Sequence, residues 1–291
     1  MKHDLDQYAR HLEESGRYRV LRMIEPEPIG ESDPAYPLSA SILDVETTGL
    51  NLKRDKIIEL ALIRFSFNAS GEIGPILARY AGLQDPGMPI PPVCTEITGI
   101  TDDMVKGQTL DINRIDHHLS SSDLVIAHHA AFDRPRVENL IPSAANQRWA
   151  CSMLEVDWKS RSCEGTKLGY ILQSHGLFHK KHRAPDDCEA LLAVLKARSD
   201  KETAFSELYR SSKRTIHRLF AVQAPFHTKD ALAARGYTWS NGTVEPHKAW
   251  WKDFPPEDFE TEVNFLRNTI FNSSWQPATT IKNAFNRYRA N

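Results

Sequence analysis

Apolar residues recur at helical spacing between Leu5 and Ile24, at Leu5, Tyr8, Leu12, Tyr18 and Leu21, and Gly16 divides the stretch into two helical pieces. An acidic, proline-rich loop from Glu25 to Pro37 reads as a linker. The pattern then changes. Ser41-Ile-Leu-Asp-Val-Glu46 is a short strand-like run, and Thr47-Thr-Gly-Leu50 leaves it as a turn. Ile57 to Phe67 alternates and is rich in branched residues, which predicts a second strand, with a third from Ile73 to Tyr80. Asp85 to Pro92 is a proline loop, Thr101 to Lys106 starts a short helix, and Leu124 to Ala127 is a buried strand. Phe132 to Leu140 reads as a helix and Trp149 to Met153 as a strand. Helices follow over Lys167 to His175, Asp187 to Leu195 and Ala204 to Phe220. Strands first, then strands alternating with helices, predict an α/β sheet with helices packed on it.

Composition narrows the class. Of 291 residues, 41% are hydrophobic and 25% charged, which excludes a collagen, a disordered chain and a disulfide scaffold. Met1 to Val20 hold no signal-peptide core, and no run approaches the roughly 20 apolar residues of a membrane span. A cytoplasmic protein with no membrane partner is expected. None of Cys94, Cys151, Cys163 and Cys188 forms a Cys-x-x-Cys pair, so reduced, partly buried thiols are expected. Cys163 with His175, His179 and His182 offers zinc-type donors, without the tight paired spacing of structural zinc sites.

Three segments carry candidate chemistry. In a strand, Asp44 and Glu46 point to one face, where two carboxylates repel unless a cation lies between them. Asp133 follows the strand run Val125-Ile-Ala and falls in the first turn of a helix, a position the helix dipole also favours. In His182-Arg-Ala-Pro-Asp-Asp187, Pro185 helps start a helix, and Asp186 or Asp187 reads as its N-cap.

Together these segments resemble the three motifs of the DnaQ-like 3′→5′ exonucleases, DEDDh subgroup. Asp44-Val-Glu46-Thr-Thr-Gly matches the first, His128-His-Ala-Ala-Phe-Asp133 the second, and His182 with Asp187 the third. Asp55-Lys-Ile-Ile-Glu-Leu-Ala61 and Thr98-Gly-Ile-Thr101 are secondary matches, and the likeness spans about residues 40 to 198. The usual second motif has Asn where this chain has His129.

The resemblance implies an RNase H-like fold: a mixed five-stranded sheet flanked by helices. To this the chain adds an N-terminal helical arm and a small C-terminal α+β module. The expected divisions are 1–38 for the arm and linker, 39–200 for the exonuclease domain, 201–220 for a connecting helix and 221–291 for the module. The resemblance assigns Asp44, Glu46, Asp133 and Asp187 as ligands of two Mg²⁺ or Mn²⁺ ions, which such sites hold about 3.5–4 Å apart. It assigns His182 as general base, and its spacing selects Asp187 over Asp186. Thr47, Leu50, Ile97, Thr98 and Phe132 match positions that read the terminal nucleotide, where stacking on an aromatic is worth about 1–3 kcal/mol per base. For Leu50, Ile97 and Phe132 the rival reading is core packing. The implied partner is nucleic acid, DNA 3′ ends preferred over RNA. An exoribonuclease or oligonucleotide nuclease, and an inactive scaffolding module, are the alternatives.

The tail, Lys229 to Arg235 as a helix capped by Gly236 and a hairpin around Asn241-Gly242, is similar to a module attached to some bacterial members. Its Trp239, Trp250 and Trp251 with Lys229, Arg235, Lys248 and Lys252 form either a nucleic-acid surface or, as favoured here, the core of a mini-domain.

Net charge first points away from nucleic acid, at -2. Residues 1–156 hold 15 Lys/Arg and 23 Asp/Glu, however, while residues 157–218 hold 13 and 8. The basic stretch includes Lys180, Lys181 and Arg183, beside the third motif, so phosphate attraction can be local.

Overall fold

The computed structural model describes residues 2–199, 202–243 and 246–290, so the division expected between residues 200 and 201 lies outside the described residues. The chain opens with helix α1 (Lys2–Glu14). The second helical piece expected before Ile24 does not form. Gly16 turns the chain with φ of 68°, and Arg22–Met23 becomes strand β1 instead.

Three long strands follow: β2 (Leu38–Thr47), β3 (Ile57–Phe67) and β4 (Ile73–Leu83). Branched and aromatic residues at alternate positions suit them to a sheet with both faces covered. The next elements are α2 (Pro92–Thr98), α3 (Asp102–Val105), α4 (Ile112–Ser120), β5 (Leu124–Ala127) and α5 (Ala130–Leu140). The run expected as a strand to Met153 stops early, as β6 (Trp149–Cys151). Ser152 begins α6 (Ser152–Glu155), because the Glu155 carboxylate accepts the Cys151 N–H at 2.9 Å and closes a helical turn. Then come α7 (Leu168–Ser174), β7 (Leu177–Phe178), α8 (Ala184–Lys196) and α9 (Ala204–Ser212).

The sheet order is β4-β3-β2-β5-β6. β3 is antiparallel to β2 and β4, while β5 is parallel to β2 and to β6. This is the mixed five-stranded sheet expected. On one face Ala40, Ile42, Ala61, Ile63 and Phe65 meet Leu191, Leu192 and Leu195 of α8 and Phe205 and Leu208 of α9. Phe205 packs edge-on to Phe65 and Phe67, with ring centres 5.1 and 5.0 Å away. Each such fully buried side chain contributes about 1.5–3 kcal/mol relative to exposure. β1 pairs in parallel with β7, apart from this sheet.

The chain divides into two compact units, Met1–Ser211 and Ser212–Asn291. The helix expected to run from Ala204 to Phe220 ends at Ser212, and Ile216–Ala221 is a strand, β8. Its alternation puts Leu219 and Ala221 into the second unit's core while it pairs on both edges. That unit continues with α10 (Lys229–Ala234), β9 (Thr238–Trp239), β10 (Trp250–Phe254), α11 (Pro256–Phe265) and β11 (Ala278–Lys282). Its antiparallel sheet has the order β11-β8-β10-β9. Trp250 and Trp275 pack on a core of Leu219, Leu232, Tyr237, Phe254, Val263 and Leu266. Trp251 lies under the Arg218 guanidinium at 3.8 Å, Arg235 pairs with Glu262, and Trp239 is half exposed. The aromatic residues are mainly packing material. Among the described residues no helix is long and apolar enough to cross a membrane.

Candidate active site and acidic centre

Asp44 and Glu46 lie two apart on β2 and share the face that α8 covers. Their partners on β3 are Ala61 and Glu59. The thiol of Cys188 on α8 donates to the Ala61 carbonyl at 3.5 Å, which seats α8 over β3 and brings the adjacent Asp187 alongside. One oxygen each from Asp44, Glu46 and Asp187 then lies within 4.8 Å of the others.

Asp133 arrives from α5. β5 pairs with β2 only as far as Ile126 opposite Ile42, so the later Val45 N–H finds no ladder partner from β5. The Asp133 carboxylate accepts it at 3.3 Å, which ties the first turn of α5 between the two β2 acids.

The electrostatics of this cluster are strained. Burial, then the charges of Asp133, Asp187 and Glu46, hold the Asp44 carboxyl well above the usual range. Glu46 is pushed up to about 8, by burial and then by Asp187 and Glu59. Burial pushes Asp133 up to about 7 despite the opposing Val45 N–H and Arg136. Carboxylates so crowded are short of positive charge. An all-oxygen donor set of this kind fits a hard divalent cation.

The loop before α8 is held from both ends. His182 has a left-handed backbone, φ of 63°, which costs a non-glycine residue about 1–3 kcal/mol and persists only where the surroundings enforce it. Here its N–H donates to Asp187 Oδ2 at 3.0 Å. The next residue, Arg183, pairs with buried Glu59 through Nη2 at 2.6 Å and Nε at 3.1 Å. Glu59 also accepts the Ala184 N–H at 2.9 Å. Neither Asp186 nor Asp187 is therefore the N-cap of α8. Arg183 takes that position, and Glu59 satisfies the helix start from β3, leaving Asp187 to face the acids. The His182 imidazole is exposed.

The zinc-type set does not assemble. Cys163 turns to the Arg161 carbonyl and His175 to the Ile171 carbonyl. His179 meets Asp187 Oδ1 at 2.6 Å, a contact with no counterpart in the sequence reading beyond the closeness of the two residues. Sequence reasoning also missed the Arg183–Glu59 pair and the task of His128. That ring bridges Ser152 Oγ at 2.9 Å and the Thr166 carbonyl at 2.7 Å, with its pKa pushed down to about 4 by burial. A carbonyl only accepts, so Nε2 carries the hydrogen and neutral His128 fastens the second motif to the loop before α7.

The nucleotide-reading candidates separate into two kinds. Leu50 is 85% exposed and Ile97 50% exposed, so neither is core. Phe132 is half-buried, with the Arg136 guanidinium 3.6 Å over its ring, and Arg136 also donates to the Leu50 and Phe132 carbonyls. Thr47 and Thr98 are buried, and their hydroxyls donate to the Gly49 and Cys94 carbonyls. His129 is exposed and lies parallel to Phe132, with ring centres 6.3 Å apart.

Known proteins can be set beside this geometry. DNA polymerase III PolC-type from Halalkalibacterium halodurans is 38% identical over 112 residues, covering 36% of this chain and 7% of that protein. The Clostridium perfringens protein of the same name is 31% identical over 162 residues, 53% of this chain and 11% of that one. The chain thus spans about a tenth or less of the length of these relatives. A solved structure of exonuclease I shares the fold at 13% identity and a TM-score of 0.52, covering 79% of this chain and 71% of the other. The zinc-bound complex of E. coli exonuclease I with single-stranded DNA gives 14% and 0.51, with 80% and 71% covered. The RNase_T exonuclease model matches residues 41–195, a little over half of the chain, from within β2 to the last turn of α8. The chain belongs to the RNase_T exonuclease family, the DnaQ-like nucleases of RNase H-like fold.

Proposed function

We propose that the chain is a metal-dependent 3′→5′ exonuclease of the DEDDh subgroup, releasing nucleoside monophosphates from DNA 3′ ends. The observation that carries this reading is the convergence of Asp44, Glu46 and Asp187 within 4.8 Å, with Asp133 tied to the same strand. The PolC-type relatives and the exonuclease I complex with single-stranded DNA support DNA as substrate.

Two Mg²⁺ or Mn²⁺ ions in the acidic set would stabilise both the attacking and the leaving oxygen of the phosphodiester. Asp44, Glu46, Asp133 and Asp187 would hold them. The His182 imidazole, exposed on a loop with a fixed backbone, takes the proton of the attacking water on a ring nitrogen. Leu50, Ile97 and Phe132 offer apolar surface to the terminal nucleotide, while Thr47 and Thr98 shape the backbone beneath it. Lys180 and Lys181, both exposed, draw phosphate to this end of the sheet.

The test is to incubate the full chain with 5′-labelled single-stranded, duplex and mismatched DNA, and with RNA, in Mg²⁺ or Mn²⁺. A ladder shortening from the 3′ end, lost in EDTA and in Asp44→Ala, is the expected result. Shortening of RNA alone would make it an exoribonuclease. No cleavage of any substrate would leave a scaffolding module.

A further inference from the structure

His179 has no task in the reading above. We propose that it is a positioning residue: its imidazole fixes the Asp187 carboxylate in the orientation that takes up a divalent cation, so metal affinity depends on it. The inference rests on Asp187 being a metal ligand with Asp44 and Glu46.

The geometry is specific. His179 Nε2 lies 2.6 Å from Asp187 Oδ1, and the two side chains are only 5% and 18% exposed. A carboxylate accepts, so Nε2 carries the hydrogen. The other oxygen, Oδ2, accepts the His182 N–H at 3.0 Å. One donor on each oxygen fixes both the position and the plane of the carboxylate. Each oxygen has two acceptor sites and gives one to its donor, so one per oxygen remains for a cation. His179 is not itself in the cluster, whose three ligand atoms are all carboxylate oxygens. Without His179 the only contact left on Asp187 among these would come from a strained, exposed loop backbone.

The support behind His179 is equally defined. It directly follows β7, which pairs in parallel with β1. The Ile24 N–H donates to the Phe178 carbonyl at 3.1 Å, one residue before His179. The segment after α1 therefore braces the residue that braces Asp187. Hydrogen bonds to ligating carboxylates of this kind typically contribute tenfold to a hundredfold in metal affinity.

The experiment uses the full chain, stripped of metal, and reads Mn²⁺ binding from the loss of the aqueous Mn²⁺ signal in electron paramagnetic resonance. Wild type is compared with His179→Gln, His179→Asn, His179→Leu and Asp44→Asn, each first melted to verify folding. A glutamine amide nitrogen reaches about as far as Nε2, and an asparagine one falls short. Asn and Leu are expected to weaken Mn²⁺ binding about tenfold or more, while Gln retains most of it. The Mn²⁺ needed for half-maximal cleavage should rise by the same factor, with the rate recovering at saturating Mn²⁺. His182→Gln should instead lower the saturated rate and leave Mn²⁺ affinity in place. If His179→Leu fails to fold, the Gln and Asn pair decides. Wild-type or tighter Mn²⁺ binding in Asn and Leu would overturn the role of His179. Wild-type binding no tighter than that of Asp44→Asn would overturn the acidic-centre reading itself.

Discussion

At the scale of single residues, the crowding of acids that would favour a bound cation costs the fold stability. Glu46, with an ordinary pKa of 4.5, is pushed up to about 8 in the fold by burial and the neighbouring acids. Below about pH 4.5 the folded and unfolded chains both carry its proton, and the shift has no effect on stability. As pH rises toward 8 the unfolded chain loses that proton while the folded one keeps it, so stability falls, and above about 8 the loss is complete. Asp44 and Asp133 are raised too and act in the same direction. The melting temperature in EDTA should therefore fall between about pH 5 and pH 8, and added Mn²⁺ should restore most of it at the upper end. Asp44→Asn removes one of the buried groups that must hold a proton for the chain to fold near neutral pH. Scanning calorimetry should find it more stable than wild type in EDTA near neutral pH, by on the order of a few degrees, and insensitive to Mn²⁺. A lower melting point in that variant would mean the carboxylates are not crowded in solution.

At the scale of elements, α8 is seated from below by β3. Glu59 joins Arg183 and the Ala184 N–H, so it fastens the strand, the His182 loop and the helix start at one point. Arg183→Ala leaves a buried carboxylate without its counter-ion, held only by the Ala184 N–H, whereas Glu59→Gln keeps an acceptor for Ala184. Urea denaturation should show Arg183→Ala destabilised by about 1–3 kcal/mol, water over the partly exposed guanidinium holding it to that range, and Glu59→Gln by less. The same scale shows what the sequence discloses. Asp44 and Glu46 are legible because a strand puts alternate residues on one face, and Asp133 because a buried strand delivers it to a helix start. Leu50 reads as apolar whether buried or 85% exposed, so periodicity alone does not separate core from surface there. The stretch Ala204 to Phe220 fits helical spacing, yet β10 and β11, at residues 250–254 and 278–282, claim its second half. Local pattern carries no trace of partners so distant. His179 lies in an irregular segment just after a two-residue strand, where no period exists to read.

At the scale of the whole molecule, charge is arranged locally, not globally. The near-zero total predicts modest affinity for nucleic acid without divalent metal, because few phosphates can be neutralised at once. Filter binding should find tight association with single-stranded DNA in Ca²⁺ and none at nanomolar concentration in EDTA. Because the family match ends at residue 195, inside the first unit, a chain ending at Ser211 should fold alone and keep its cleavage. A second, separately melting transition should vanish from its thermal profile. The acids themselves are scattered, at positions 44, 46, 133 and 187, and three different elements must dock before they meet. On the proposed function, this would act during translation as a safety catch. A nascent chain stalled before α8 carries half or more of the nuclease's sequence yet lacks the carboxylate that closes the set. Damaged or truncated copies would be disarmed by the same topology, since the acidic set would close only in molecules whose α8 has docked.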